Sequence, residues 1–471
     1  MHVVVLIGLL VALTTAEMDP LVSARWLVVP AMVTYLAVAV AMGAFRTALS
    51  LRAVAGRPEV FGRAVRRHNR LAILGQAWLV AGLGGVVLVG YGRWVLEDLR
   101  LKPVPLVGHA LVFGPFIVAL LLNWLLEYPF YRAMRARIAQ EQLLAGAAAR
   151  PGWTLREYLG YNLRHHLLFV AVPVGLILLL TDSLQLAGPY LPEKLAPAIV
   201  GGGSMLCAGA VFLAAPLLIV RIWRTGRLPA GRLRDDLQRI CRQMRLKVRE
   251  LLVWRSGGMI ANAGVMGLIG KVRYVLLSDA LLEQMDDREI KAIFAHEAGH
   301  IISHHLFYAL LFAVSSVTLC GAAGAAVEGA QLAGWVGQAV TFVLLAATWA
   351  FGFGWISRRF ERQSDVIAAW FAAPDGPSGD GRITPEGAAV FARSLERVAQ
   401  LNGMSPRQWN WRHGSIASRV EHIIYLGSTA GNRRRIDRVV RWIKLGLWAT
   451  ALLSALLVVL AVLADKGDLL A

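Results

Sequence analysis

Cysteine is scarce in this sequence. There are three in 471 residues, Cys207, Cys241 and Cys320, and no two stand at a paired spacing. That excludes a disulfide framework and a cysteine-built metal site. Charge is also sparse. Only 17% of residues are Asp, Glu, Lys or Arg, against about a quarter in ordinary soluble domains. Acidic residues are the scarcer kind, 30 against 49 Lys and Arg, for a net charge of +19. No internal repeat is evident and glycine follows no strict period, so solenoid and collagen-like architectures are excluded. Low complexity is confined to residues 374–380, Pro-Asp-Gly-Pro-Ser-Gly-Asp, which reads as a flexible loop.

Apolar residues fill the gap. They make up 57% of the chain, and the mean hydropathy is +0.55. Disorder is excluded at that composition. A soluble chain of this length would split into several cores and need far less apolar residue. The composition implies a polytopic membrane protein with a polar portion large enough for chemistry. The positive charge then has a topological reading, because Lys and Arg collect in cytoplasmic loops. No nucleic-acid partner is expected.

A spanning helix needs about 20 mostly apolar residues. Nine candidates stand at 2–15, 23–44, 71–92, 106–126, 166–182, 196–220, 306–327, 333–355 and 442–464. The first is short. It reads as an anchor rather than a signal peptide, since no basic n-region precedes it. Segment 46–70 carries seven arginines, Arg46, Arg52, Arg57, Arg63, Arg66, Arg67 and Arg70. Segments 127–165, 221–250 and 432–444 are also basic, and 127–165 includes Arg132, Arg135, Arg137, Arg150, Arg156 and Arg164. Nine spans with the N-terminus inside place all of these in the cytoplasm. Two long polar stretches, 223–304 and 357–440, fall on that side and flank a hairpin of spans.

The first stretch holds His296-Glu297-Ala298-Gly299-His300. Asp286 and Asp287 mark a helix start, supported by Glu289. Ile290, Ile293, Phe294 and Ile301 give a helical apolar spacing. His296 and His300 are four apart and share a helix face. Two imidazoles so placed grip one zinc ion at about 2.0–2.1 Å each. Glu297 is placed to take a proton from a metal-bound water. The site needs a third protein ligand and an open fourth position. His304 continues the row, but eight residues separate it from His296, about 12 Å along the axis. His304 and His305 read as helix–membrane junction residues. Glu361 and Asp365, four apart in the second stretch, fit better. Glu361 can ligate, and Asp365 can accept the second ring N–H of a ligand histidine. The plain alternative is a solvated acidic face interleaved with Arg358, Arg359 and Arg362.

These motifs resemble the integral-membrane zinc metallopeptidases of the HtpX and CaaX prenyl protease 1 group. The resemblance covers roughly residues 230–430. It rests on H-E-A-G-H, on S-R-x-x-E-x-x-x-D from Ser357 to Asp365, and on His413-Gly414-Ser415-Ile416-Ala417-Ser418-Arg419. It implies His296, His300 and Glu361 as zinc ligands, Glu297 as general base and Asp365 behind the ligands. It further implies that His413 stabilises the oxyanion and that Arg419 orients the site or holds substrate. Gly414 stands where the family usually has proline. Residues 251–255 and 272–278 read as short strands around a glycine-bearing stretch with Asn262 and Ala263. The family has a similar stretch in an edge strand beside the active site, which would make those two residues substrate-binding. A plain hairpin is the alternative. Segment 233–251 is amphipathic and either packs on the catalytic helices or lies on lipid.

The expected fold is a mainly α polytopic membrane protein of about nine spans with a small cytoplasmic α+β zincin-like domain. The expected layout is an N-terminal membrane region over 1–222, catalytic parts over 223–304 and 357–440, a transmembrane hairpin over 305–356, and a last span and tail over 441–471. The expected function is metalloendopeptidase action with one Zn2+ per chain, on peptide or membrane-protein substrates, in quality control or processing. Its expected place is the cell inner or plasma membrane, with the site facing the cytoplasm. CaaX-type processing is one alternative. A non-catalytic scaffold or transporter with a structural metal is the other, and Gly201-Gly202-Gly203 in the sixth span is one interruption in its favour, with no obvious counterpart elsewhere.

Overall fold

A computed structural model describes residues 2–16, 25–54, 58–144, 152–258, 260–329, 334–429 and 431–468. Arg57 and Arg150 lie outside the described residues. The chain forms two compact units, Met1–Arg224 and Thr225–Ala471.

The first unit carries α1 (His2–Thr15), α2 (Val28–Val54), α3 (Pro58–Val86), α4 (Val107–Leu144), α5 (Leu155–Asn162), α6 (Phe169–Ala187) and α7 (Ala196–Ile222). Runs of Leu, Val and Ala become helix because lipid offers the backbone no hydrogen-bond partner. Tyr35, Leu83, Phe116, Leu120 and Trp124 are fully buried at the centre. The Tyr35 hydroxyl donates to Leu79 O at 3.0 Å. Gly82 lets the ring in, because a Cβ there would come within 2.6 Å of it. Glu127 follows the fourth apolar run and is part-buried. It pairs with Arg46 at 3.3 Å and with His68 Nε2 at 3.0 Å.

In the second unit a short strand, β1 (Gly226–Arg227), precedes α8 (Arg232–Gln243) and β2 (Glu250–Trp254). Next come β3 (Ala263–Met266), β4 (Tyr274–Ser278), α9 (Asp279–Gln284) and α10 (Asp287–Ile302). The sheet order is β1-β2-β4-β3. β2 and β4 match the two expected strands, but they pair in parallel, with Leu252 opposite Leu276. They are therefore no hairpin. β3 adds to β4 antiparallel at the sheet's edge, with Val265 opposite Val275. Leu237 and Cys241 of α8 are buried in the domain core with Leu277, Ile290 and Phe294. Of the two readings of residues 233–251, packing on the catalytic helices is the one observed.

The chain continues through α11 (His305–Gly329), α12 (Gly334–Ala347) and α13 (Gly354–Phe371). It ends with α14 (Pro385–Leu401), α15 (Ile416–Ser428) and α16 (Arg434–Asp468). α13 and α14 close the core with Val366, Ile367, Phe391 and Leu395. Phe312 of α11, Ile356 and Phe360 of α13, and Val440 and Leu447 of α16 form a second cluster.

Among the described residues, eight helices are long and apolar enough to cross a membrane. α1 is also apolar but has 14 residues, which rise about 21 Å against a hydrocarbon core of about 30 Å. Among the described residues there are therefore about nine apolar helices, and the fold is the mainly α membrane class with a small sheet.

Candidate metal centre and active site

α10 starts at Asp286, whose Oδ1 accepts the N–H groups of Arg288 and Glu289, each at 2.8 Å. Glu289 returns the favour by accepting the Asp286 N–H at 3.2 Å. The helix buries Ile290, Ile293, Phe294, His296 and Ala298 on its inner face. It crosses α13 closely at Gly299, where a Cβ would stand 3.2 Å from Ser364 Cα. That close crossing sets the two histidines against Glu361.

The convergence is tight. His296 Nε2 and His300 Nε2 are 3.3 Å apart. Glu361 Oε2 is 3.6 Å from the first and Glu361 Oε1 is 3.6 Å from the second. Donor atoms about 2.0–2.1 Å from one tetrahedral ion lie about 3.4 Å from each other. The three side chains therefore fit a zinc ion in both type and spacing. Among the described residues, His296, His300 and Glu361 are the group able to hold a metal. His304 is not in that group.

Asp365 is buried behind the donors, 3.1 Å from His296 Nδ1. The oxygen lies off the N–H direction, so the pair is an electrostatic contact rather than a well-aligned hydrogen bond. Arg419 grips Asp365 with two bonds, Nε at 2.9 Å and Nη2 at 2.6 Å. The same guanidinium reaches Glu361 Oε2 at 3.3 Å. Arg419 is thus committed to the two carboxylates. His413 Nδ1 lies 2.8 Å from Glu361 Oε1, with 42% of its side chain exposed. Gly414 beside it has φ +76°. Proline is locked near −65°, so this turn differs from a His-Pro turn, while both polar side chains still reach the site.

Protonation follows from burial and neighbours. Burial pushes the Glu297 carboxyl up to about 7, opposed by His296 and Arg419 and aided by Glu361. Burial pulls His296 down, but the Asp365 and Glu361 carboxylates outweigh it and raise the ring to about 9. Burial dominates at His300 and lowers it to about 4. At Arg419 burial acts the other way, yet Asp365 and Glu361 hold the guanidinium above its ordinary range.

Glu297 lines a cavity of about 620 Å³ together with His296, His300, Glu361, His413 and Arg419. Asn262, Ala263 and Val265 of the β3 edge line the same cavity. The Asn262 side chain accepts the Ala263 N–H at 3.0 Å, while its backbone is tied to Ser278. The sequence reading missed Asn402, whose side chain exchanges two bonds with Ala261, at 2.7 and 3.2 Å. It clamps the chain just before β3. From sequence it reads only as a helix stop before Gly403. His305 was also missed as a site neighbour. Its Nδ1 lies 3.0 Å from His300 Nδ1.

A polytopic membrane fold carrying an H-E-x-x-H helix, a facing glutamate and an open cavity defines a membrane metallopeptidase. Residues 227–423 match Peptidase family M48. The chain carries an M48 peptidase domain over those residues and is a metallopeptidase, a hydrolase. Among solved structures it is similar to Ste24p of S. mikatae, at 15% identity, covering 84% of this chain and 99% of that one, with a TM-score of 0.48. No curated protein matches the sequence.

Proposed function

We propose that the protein is a zinc-dependent endopeptidase that cuts membrane proteins, in quality control or processing, from the cytoplasmic face of the cell inner or plasma membrane. The observation that carries this reading is the convergence of His296, His300 and Glu361 at 3.3–3.6 Å beside Glu297. His296, His300 and Glu361 would hold one zinc ion per chain. Bound there, zinc supplies Lewis-acid polarisation of the scissile carbonyl and a lowered pKa for water.

The chain's own residues do the rest. Glu297 takes the proton of the attacking water on a carboxylate oxygen and later delivers it to the leaving amine nitrogen. A carboxyl near 7 suits both halves of that task. His413 has Nδ1 on Glu361, and in its imidazolium form its Nε2 donates to the developing oxyanion. Arg419 and Asp365 position rather than react. Asp365 orients His296, and Arg419 neutralises the two buried carboxylates. β3 is an edge strand along the cavity, so an extended substrate can add along its outer edge, with Asn262 and Ala263 lining the cleft where it lies. Backbone pairing suits tolerant sequence selection. The basic loops support the cytoplasmic placement.

The test is cleavage of an unfolded membrane protein by the purified enzyme in detergent and in liposomes. Cleavage should vanish with a zinc chelator and return with added zinc. Protein that holds zinc yet cuts no unfolded membrane protein in either setting would overturn the reading.

A further inference from the structure

His305 opens α11 just beyond the ligand pair, and its ring is buried. It lies flat on Phe360, with centroids 4.2 Å apart and planes 7° apart. Its Nδ1 meets His300 Nδ1 at 3.0 Å, and its Nε2 meets Gln363 Oε1 at 2.9 Å. The Gln363 amide nitrogen donates to Asp437 Oδ1 at 2.6 Å. Asp437 Oδ2 in turn accepts Arg433 Nε–H at 3.1 Å.

These contacts fix the direction of every proton. A carboxylate paired with arginine only accepts, so the glutamine must turn its NH2 toward Asp437. Its carbonyl then faces His305 and can only accept, so His305 carries its proton on Nε2. A neutral ring protonated there offers a lone pair at Nδ1. His300 must therefore carry its own proton on Nδ1. That leaves the His300 lone pair on Nε2, the atom 3.3 Å from His296 Nε2 and 3.6 Å from Glu361. The opposite polarity would place a proton on His300 Nε2 and block ligation.

We propose that Asp437, Gln363 and His305 form a relay of positioning residues that sets the tautomer of His300 for metal binding. The relay rests on the reading of His300 as a zinc ligand. The two ligand histidines then have separate supports. Asp365 of α13 serves His296, and Asp437 in the first turn of α16 serves His300 through α13 and α11. Metal affinity is thereby tied to the docking of the last span.

The experiment measures zinc affinity by competition with a chromophoric chelator, on full-length protein in detergent. Cobalt substitution gives the ligand-field spectrum as a second readout. Gln363→Met removes the acceptor and should weaken zinc binding about 10–100-fold. The double variant Gln363→Glu with Asp437→Asn offers a carboxylate to His305 and an amide to that carboxylate. It should restore affinity to within about threefold of wild type, the scale of a relay partner's effect being at least tenfold. If Gln363→Met does not fold, Asp437→Leu is read instead. It frees the glutamine to flip and should weaken binding and alter the cobalt spectrum. Wild-type affinity in the single variants, or a double variant as weak as Gln363→Met, would overturn the relay. A wild-type protein that binds no zinc would instead sink the ligand assignment beneath it.

Discussion

At the residue scale, the protonation of the site turns on His296. A ring raised to about 9 keeps its proton through the neutral range, whereas ligation requires the neutral form. Zinc affinity should therefore fall about tenfold for each pH unit below that value. Near pH ~8, loading should release about one proton, read by calorimetry in buffers of different ionisation enthalpy. A count near zero would contradict the assignment. The same shift fixes a stability trend in metal-free protein. A histidine raised from 6.5 to about 9 stabilises the fold fully below 6.5, and that contribution is lost as pH rises through about 9. The melting temperature of chelator-treated protein should drop across that window. Arg419 gives a second prediction, since its side chain is only 11% exposed and faces two carboxylates. Arg419→Leu leaves buried charge unpaired and should cost about 3–5 kcal/mol. A melting temperature equal to wild type would refute the pairing. The gathering of His296, His300 and Glu361 at one point is legible in sequence because i, i+4 spacing on a helix is a strong geometric constraint. His305 is not, because a histidine at the head of an apolar run carries no sign of which way its ring turns.

At the element scale, α10 is the best-specified piece of the chain. Its cap, its apolar stripe and its histidines all agree on one helix and one orientation. Asp286→Ala removes both cap bonds and should cost about 0.5–2 kcal/mol, visible as a lower melting temperature with zinc stoichiometry retained. Loss of zinc would show that the cap does more than start the helix. Phe391 of α14 is fully buried and its ring lies 5.8 Å from His296. Phe391→Ala should cost about 3–5 kcal/mol; a cost below about 1 kcal/mol would mean the core is not packed as described. The sheet was less legible. β2 and β4 stand out as apolar runs, but their parallel pairing depends on β3 folding back onto β4. β3 has four residues, one of them Gly264, and β1 has two. Segments that short carry no alternation to read. Register and strand order come from tertiary packing.

At the scale of the whole molecule, the apolar helices are legible because length and hydropathy alone define them. What each helix packs against is not, since lipid-facing and buried Leu or Val look alike in sequence. Glu127 shows this, since its pairing with Arg46 and His68 leaves no trace in the local sequence. Orientation is predicted from the basic loops. A cysteine placed at exposed Ser405, in a background lacking Cys207, Cys241 and Cys320, should react with an impermeant reagent only when the cytoplasmic side is open. Labelling from the opposite side would invert the topology. The central claim is that α10 supplies two of the three metal ligands together with the base. The most direct test is to measure zinc content and cleavage rate side by side for wild type and Glu297→Gln. The base role predicts equal zinc, near one per chain, with cleavage in the variant lost by at least about 100-fold. A zinc-loaded variant that still cuts at the wild-type rate would contradict it.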